Sequence, residues 1–154
     1  MPATKTKDQP LTCQVRINAS PDTVFKYLTD ASLITKWFGR KATFDARPGG
    51  VARVEMNDRD IFSGRVVEVK RPDRLVYTFG WEAADNPIKP GSTTVEINLK
   101  REGSATLVTL IHSGLPVPAQ ADHGKGWDMY LARLAVISTG GEPGPDPNAT
   151  PRAM

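Results

Sequence analysis

Cysteine and histidine are scarce in this sequence of 154 residues, which has one Cys and two His. The single thiol, Cys13, cannot form an internal disulfide, and its place in an alternating apolar segment predicts a buried, unreactive side chain. Metal sites need clustered ligands, and the cysteine and the histidines show no ligand spacing. We therefore expect neither a bound metal nor a cofactor.

Long apolar runs are also missing. No segment is apolar enough over sufficient length to span a bilayer, and residues 1–10 lack the apolar core of a secretory signal. Charge is nearly balanced, with 20 Lys and Arg against 17 Asp and Glu, and it is scattered without a basic stripe. We expect a cytoplasmic protein that neither inserts into membranes nor binds nucleic acid.

The signatures of common catalytic sites do not occur. Pro48-Gly49-Gly50 is typical of a hairpin turn and lacks the Lys and the helix that follow a phosphate-binding loop. Ser113-Gly114 falls at a predicted strand end without the flanking glycine of a nucleophile elbow. These patterns assign no residue a catalytic role, and they leave enzyme activity open.

The chain divides into one predicted domain and two tails. The domain covers residues 11–138, which is enough chain for a single hydrophobic core. Residues 1–10 are predicted to be a flexible polar tail. Residues 139–154 are so rich in Gly and Pro that we predict a disordered tail without a packed element.

Alternation and turn residues predict the elements of the domain. A strand runs from Leu11 to Ile17, Ser20-Pro21-Asp22 starts a helix, and a second short helix starts near Asp30 and ends at Gly39. Six more strands follow between turn sequences: residues 41–46, 51–56, 61–70, 75–81, 95–99 and 106–112. A long helix over residues 119–138 completes the chain. One long helix on a curved antiparallel sheet is an α+β helix-grip arrangement.

Six segments carry a family resemblance, in this order: NASPDTVFKYLTD, LITKWFG, RPGG, SGRVVEVKRPDRLVYTF, LIHSGLP and GKGWDMYLARL. Together they resemble the activator of heat-shock protein 90 ATPase homologue family of the START and Bet v 1-like (SRPBCC) superfamily. The resemblance implies a seven-stranded antiparallel sheet wrapped around the C-terminal helix, with two short helices between strands 1 and 2. It also implies a cavity for hydrophobic small molecules, such as lipids. The superfamily includes lipid carriers, polyketide cyclases and chaperone activators.

Large aromatic residues concentrate on the faces that are predicted to point inward. Aromatic rings with polar tips suit an apolar pocket with a few oriented donors, although they also suit a filled core. At Gly124, a missing side chain either leaves room for a ligand or permits a close helix–sheet contact. The predicted ligand-binding residues are Trp37, Phe38, Tyr77, Phe79, Trp81, His123, Gly124, Trp127, Tyr130 and Leu131.

The two histidines are the obvious acid–base candidates. His112 ends the last strand, where we expect it to hold the turn before the long helix through a hydrogen bond. His123 precedes Trp127 by four residues, so it lies either near the cavity entrance or exposed at the helix start. Five strand residues could point inward, depending on the position of β-bulges: Arg53, Glu55, Arg65, Glu68 and Glu82.

Three functions remain open. The first is a binding protein for a small hydrophobic or aromatic molecule. The second is a cyclase- or hydrolase-type enzyme in which His123 or Glu68 moves protons. The third is a chaperone-interacting protein; its relatives carry an additional N-terminal domain, so we do not expect the full co-chaperone role. The sequence leaves open whether the chain forms a homodimer.

Overall fold

The computed structural model describes residues 9–149. Its first elements are strand β1 (Leu11–Ile17) and helices α1 (Pro21–Thr29) and α2 (Ala31–Ile34). The side chain of Ser20 accepts a hydrogen bond from the backbone N of Thr23 at 3.2 Å, which caps α1 as the sequence predicts.

The second helix is shorter than the sequence predicts. Asp30 caps α2 by accepting a hydrogen bond from Ser32 N, but the helix ends at Ile34 and turns continue to Phe38. Gly39 then adopts a φ of 78°, where an added Cβ would also collide with Val54. The three-and-four spacing of apolar residues therefore predicts a longer helix than the structure has, because turns replace the next helical turn after Ile34.

The remaining strands and the long helix follow in chain order: β2 (Lys41–Phe44), β3 (Val51–Glu55), β4 (Ile61–Lys70), β5 (Arg74–Phe79), β6 (Thr93–Glu102), β7 (Ala105–Ser113) and α3 (Val117–Ser138). All pairs are antiparallel, and the strand order is β1-β7-β6-β5-β4-β3-β2. The first strand thus pairs with the last. The predicted α+β helix-grip fold is confirmed.

A β-bulge in β4 sets which side chains face the core. The register shifts between Val66 and Glu68, so that Val66 pairs with Tyr77 and is buried, while the intervening Val67 is 52% exposed. Glu68 forms an ion pair with Arg74 at 3.1 Å. This carboxylate is therefore on the outer face of the sheet.

The core lies between the concave face of the sheet and α3. Alternation along β5 buries Leu75, Tyr77 and Phe79 on that face, and α3 buries Leu131 and Leu134 against it. No helix in the described part of the chain is long and apolar enough to cross a membrane.

Beyond α3, the chain has no helix or strand up to residue 149, but it is held in place. We call residues 141–149 the C-terminal strap. The guanidinium of Arg133 donates hydrogen bonds to the carbonyls of Pro143, Gly144 and Pro145, at 3.1–3.2 Å. This part of the predicted disordered tail is thus ordered by contacts with α3. Residues 150–154, and residues 1–8 of the predicted N-terminal tail, lie outside the described residues.

Candidate functional site

A cavity of about 510 Å³ lies between α3 and the strand ends on one side of the sheet. Its walls come from five parts of the chain: the turn after α2, the β3–β4 turn, β5 with the loop after it, α3 and the strap. The lining residues are Phe38, Met56, Arg59, Asp60, Phe79, Trp81, Asn86, Asp122, His123, Gly126, Trp127, Tyr130 and Asn148. The volume is in the range of small-molecule sites.

Aromatic rings form the inner wall. The ring of Phe38 meets Tyr130 edge-on, with centroids 4.7 Å apart, and lies 5.5 Å from Trp127. Phe79 meets Trp81 edge-on at 5.2 Å. Such edge and offset contacts are the favourable arrangements for aromatic pairs, so the wall is held by its own packing.

Phe62 on β4 joins this wall to the core. Its ring contacts Phe38, Tyr77, Phe79 and Trp81, with centroids 4.5–6.4 Å apart, and the side chain is 1% exposed. The sequence-based candidates omitted it. Its position in the alternation of β4, four residues before the buried Val66, was the signal that could have identified it.

The three indole nitrogens all have partners inside the protein. Trp81 donates to Nε2 of His123 at 3.1 Å, and Trp127 donates to Nδ1 of His112 at 3.1 Å. Trp37 donates to the carbonyl of Tyr27 at 2.8 Å. With these donors satisfied internally, Trp81 and Trp127 offer ring surface to the cavity.

His112 lies at the centre of a buried hydrogen-bond chain. Since Nδ1 accepts from Trp127, the proton is on Nε2, which donates to the hydroxyl of Thr93 at 2.8 Å. That hydroxyl donates to the carbonyl of Phe79 at 2.8 Å. Burial, followed by the nearby His123, lowers the pKa of His112 to about 3. The expectation that His112 holds the turn before the long helix is wrong: its hydrogen bonds join β7 to α3 through Trp127 and to β6 through Thr93.

His123 lines the cavity from the first half of α3 and is half-buried. Its Nδ1 donates to the carbonyl of Ala119 at 2.9 Å, and Nε2 accepts from Trp81. Burial is the main cause that lowers its pKa. Both ring nitrogens of the neutral His123 thus form hydrogen bonds within the protein. These bonds fix the ring in the wall of the cavity. A proton-transfer role would first require the Trp81 bond to break.

Tyr130 carries the polar group at the strap side of the cavity. Its hydroxyl donates to Oδ1 of Asp146 at 2.8 Å and accepts from Nδ2 of Asn148 at 3.0 Å. Burial raises the pKa of this phenol above its usual value. The hydroxyl therefore stays protonated and connects α3 with the strap.

The cavity rim is polar and carries both signs of charge. Arg59 and Asp60 come from the β3–β4 turn, and Arg59 lies 3.8 Å from Asp85. Asn86 follows in the β5–β6 loop, and Asp122 lies on α3. None of these residues was predicted from the sequence. They occur in polar turns, and only the fold brings such turns together.

Four predicted site residues do not line this cavity. Trp37 and Tyr77 lie beside a separate void of about 10 Å³, which is too small for any ligand beyond a water. Leu131 is buried in the core. A Cβ at Gly124 would lie 3.2 Å from Leu11, so this glycine permits a close helix–sheet contact, and Gly126 borders the cavity instead.

The strand carboxylates that could have pointed inward, which include the catalytic candidate Glu68, lie away from the cavity. Glu68 pairs with Arg74, and Glu82 and Glu55 both pair with Arg53 at the surface, at 2.7 and 3.3 Å. Arg65, the fifth strand candidate, is exposed. Among residues 9–149, no group of three or more Cys, His, Asp or Glu could hold a metal ion.

Comparisons with known proteins agree with this architecture. A 36% identical AHSA1-like protein from Rhizobium etli has a solution structure with a TM-score of 0.68, and the match covers 99% of this chain and 96% of that one. CalU16 from Micromonospora echinospora is 26% identical, with a TM-score of 0.68 over 84% of this chain and 75% of that one. DynU16, from the dynemicin biosynthetic locus, is 27% identical with a TM-score of 0.76 over 88% of this chain, which spans only 49% of DynU16.

The Aha1 dimer from Colwellia psychrerythraea shares the fold, with a TM-score of 0.75 at 18% identity over 86% of this chain and 98% of that one. No curated protein matches the chain. The sequence model of the family described as Activator of Hsp90 ATPase homolog 1-like protein matches residues 18–139. The chain therefore belongs to this AHSA1-like family, within the SRPBCC/Bet v 1-like superfamily.

Proposed function

We propose that this protein binds a small hydrophobic or aromatic molecule in the cavity between α3 and the sheet. The observation that carries the proposal is an open cavity of about 510 Å³ whose inner wall carries aromatic rings. Because the indole N–H groups of Trp81 and Trp127 are bonded to histidines, that wall interacts with a ligand mainly through its ring faces. Apolar rings and chains suit such a surface.

The rim favours a ligand with a polar end. Arg59, Asp60, Asn86 and Asp122 surround the opening, and none lies on the inner aromatic wall. Oδ1 of Asn86 accepts a hydrogen bond from Ile88 N at 2.9 Å. The side-chain NH2 group of Asn86 can then donate a hydrogen bond to an acceptor on the ligand. A ligand with an apolar part against the aromatic wall and one carbonyl, hydroxyl or similar group at the polar rim fits this cavity.

One relative supports a small-molecule ligand over a macromolecular one. DynU16 comes from a biosynthetic locus, and it matches 88% of this chain at 27% identity. We place the protein in the cytoplasm as part of the same proposal. We include a homodimer in the proposal, because the Aha1 protein of Colwellia psychrerythraea, which shares the fold, is a dimer.

Two measurements test the proposal. Native mass spectrometry of gently purified protein should show an added apolar mass that is lost on denaturation. The neutral dye N-phenyl-1-naphthylamine should also bind saturably with 1:1 stoichiometry.

A matched pair of variants locates the dye. Gly126→Leu should abolish dye binding, since an added Cβ at Gly126 meets open space on the cavity wall. Lys125→Leu adds the same side chain at an exposed position of α3 and should leave binding unchanged. Two outcomes contradict the proposal, each together with the absence of an added mass. In the first, both variants bind the dye as well as the wild type does. In the second, neither the wild type nor either variant binds the dye.

A further inference from the structure

The strap lies across one end of the cavity, beyond the part of the chain that defines the family. The family match ends at residue 139, and the strap begins at residue 141. Yet Asn148 of the strap is one of the cavity-lining residues. This end of the binding site is therefore built by a segment outside the family match, although the match to the Rhizobium etli protein, which covers 99% of this chain, extends through it.

Asp146 is the main anchor of the strap. Its Oδ1 accepts hydrogen bonds from the hydroxyl of Tyr130 and from the backbone N of Asn148, both at 2.8 Å. Its Oδ2 accepts from the backbone N of Gly39 at 3.2 Å. One carboxylate thus joins α3, the turn after α2 and the strap itself.

Asn148 makes the second set of contacts. Its side-chain amide donates to the Tyr130 hydroxyl at 3.0 Å, and its carbonyl accepts from Nδ2 of Asn57 at 2.8 Å. Asn57 is 1% exposed and belongs to the β3–β4 turn. The strap therefore spans the distance from α3 to that turn, over the end of the cavity.

The strap is held by polar contacts and not by a core of its own. Every residue from 141 to 149 is half-buried or exposed. The prolines at 143, 145 and 147 restrict its backbone, so it keeps its shape as a unit. Releasing it breaks seven hydrogen bonds to the rest of the domain and leaves the buried core of the sheet and α3 in place, so the strap can open without global unfolding.

We propose that Asp146 and Asn148 are specificity-determining residues of the ligand site: they hold the strap across the cavity end, limit the length of the ligand and slow its entry. This inference rests on the proposed ligand-binding function. A ligand short enough to fit under the strap binds with the strap in place. A longer ligand binds only when the contacts of Asp146 and Asn148 with Tyr130 are broken.

Two neutral dyes of different length test this inference on the full chain. N-phenyl-1-naphthylamine is the short probe, and the elongated tetracyclic dye Nile red is the long one. Asp146→Ala removes three hydrogen bonds of the strap, and Asn148→Ala removes the side-chain bond to Tyr130. Glu142→Ala is the matched control, because Glu142 is an exposed strap residue.

We expect Asp146→Ala to raise the Nile red association rate and affinity by roughly tenfold, since each lost hydrogen bond shifts an opening equilibrium several-fold. Asn148→Ala should give a smaller increase in the same direction, and the affinity for the short dye should change less than threefold. Glu142→Ala should bind both dyes as the wild type does. Circular dichroism and the urea midpoint establish that each variant is folded.

Three results contradict the inference. If all variants bind both dyes with wild-type rates and affinities, the strap does not select the ligand, while the binding function stands. If Asp146→Ala and Asn148→Ala weaken both dyes equally, the strap contributes only to general stability of the site. If neither the wild type nor any variant binds either dye, the binding function and the inference are both wrong.

Discussion

Nε1 of Trp127 lies 3.1 Å from Nδ1 of His112, and the hydrogen bond between them joins the long helix to the last strand inside the core. Both side chains are buried, at 4% and 0% exposure. A donor and an acceptor in such a position have no access to water as a replacement partner. The stability of the helix–sheet contact therefore depends on this pair.

Replacing Trp127 with Phe removes the donor and leaves Nδ1 of His112 buried without a partner. We expect the free energy of unfolding to fall by about 1–3 kcal/mol beyond the loss of ring area. Urea unfolding followed by circular dichroism measures the change. Trp37→Phe is the comparison, because the indole of Trp37 donates to the backbone carbonyl of Tyr27 and not to a buried side chain. A loss in Trp37→Phe equal to that in Trp127→Phe would contradict the expectation.

Stability should fall in mild acid. Burial lowers the pKa of His112 to about 3, whereas a histidine of the unfolded chain titrates near 6.5. Between these values the unfolded state binds a proton that the folded state does not, so the free energy of unfolding decreases as pH falls below about 6.5. The slope is up to about 1.4 kcal/mol per pH unit for each histidine, and His123 adds in the same direction.

Urea unfolding at several values from pH 7.5 to 5.0 tests this dependence. That window lies above the range in which unfolded carboxylates titrate, so the histidines dominate it. His112→Gln should reduce the slope, whatever its effect on stability at pH 7.5. A wild-type stability that is constant from pH 7 to 5 would contradict the buried, neutral state of His112.

Two glycines on α3 should differ in their response to replacement by Ala. At Gly126 an added Cβ meets nothing within 4 Å, so Gly126→Ala should raise the free energy of unfolding by up to about 1 kcal/mol through helix propensity. At Gly124 the added Cβ lies 3.2 Å from Leu11 Cδ1, and the repacking should offset that gain. Thermal unfolding of the two variants, side by side, compares them; equal stabilisation would show that Leu11 yields without cost.

Trp81→Phe should raise the pKa of His123. The indole donor occupies Nε2, and without it that nitrogen can accept a proton and is more accessible to water. An NMR titration of the His123 ring resonances measures the shift. In Trp37→Phe the indole lost is bonded to the carbonyl of Tyr27, so the His123 pKa should stay at its wild-type value.

The sequence predicted the fold well because its elements are defined locally. Ser20-Pro21-Asp22 marks a helix start by capping chemistry alone, and alternation along β6 and β7 needs no knowledge of their partners. The shortened α2 shows the limit: the spacing of Ile34 and Trp37 fits a helix, but tertiary contacts favour a tighter turn there.

The candidate site was harder to predict because it depends on contacts between distant segments. The sequence left open which way the side chains of β4 point, because one bulge reverses the direction of the later side chains and turns Glu68 outward. The prediction of a disordered tail was wrong for the strap for a different reason. Gly and Pro exclude a helix or strand, but they do not exclude an ordered segment. Asp146 and Asn148 give it partners that no local pattern reveals.

The pairing of β1 with β7 also has a consequence for synthesis of the chain. Leu11 pairs with His112, about a hundred residues later, and among the strands of residues 9–149 β1 pairs with β7 alone. At roughly 5–20 residues per second, a ribosome needs on the order of 5–20 s to produce the missing strand. During that interval the apolar side of β1 has emerged without its neighbour in the sheet. The oldest segment of the nascent domain is thus among the last to reach its final place.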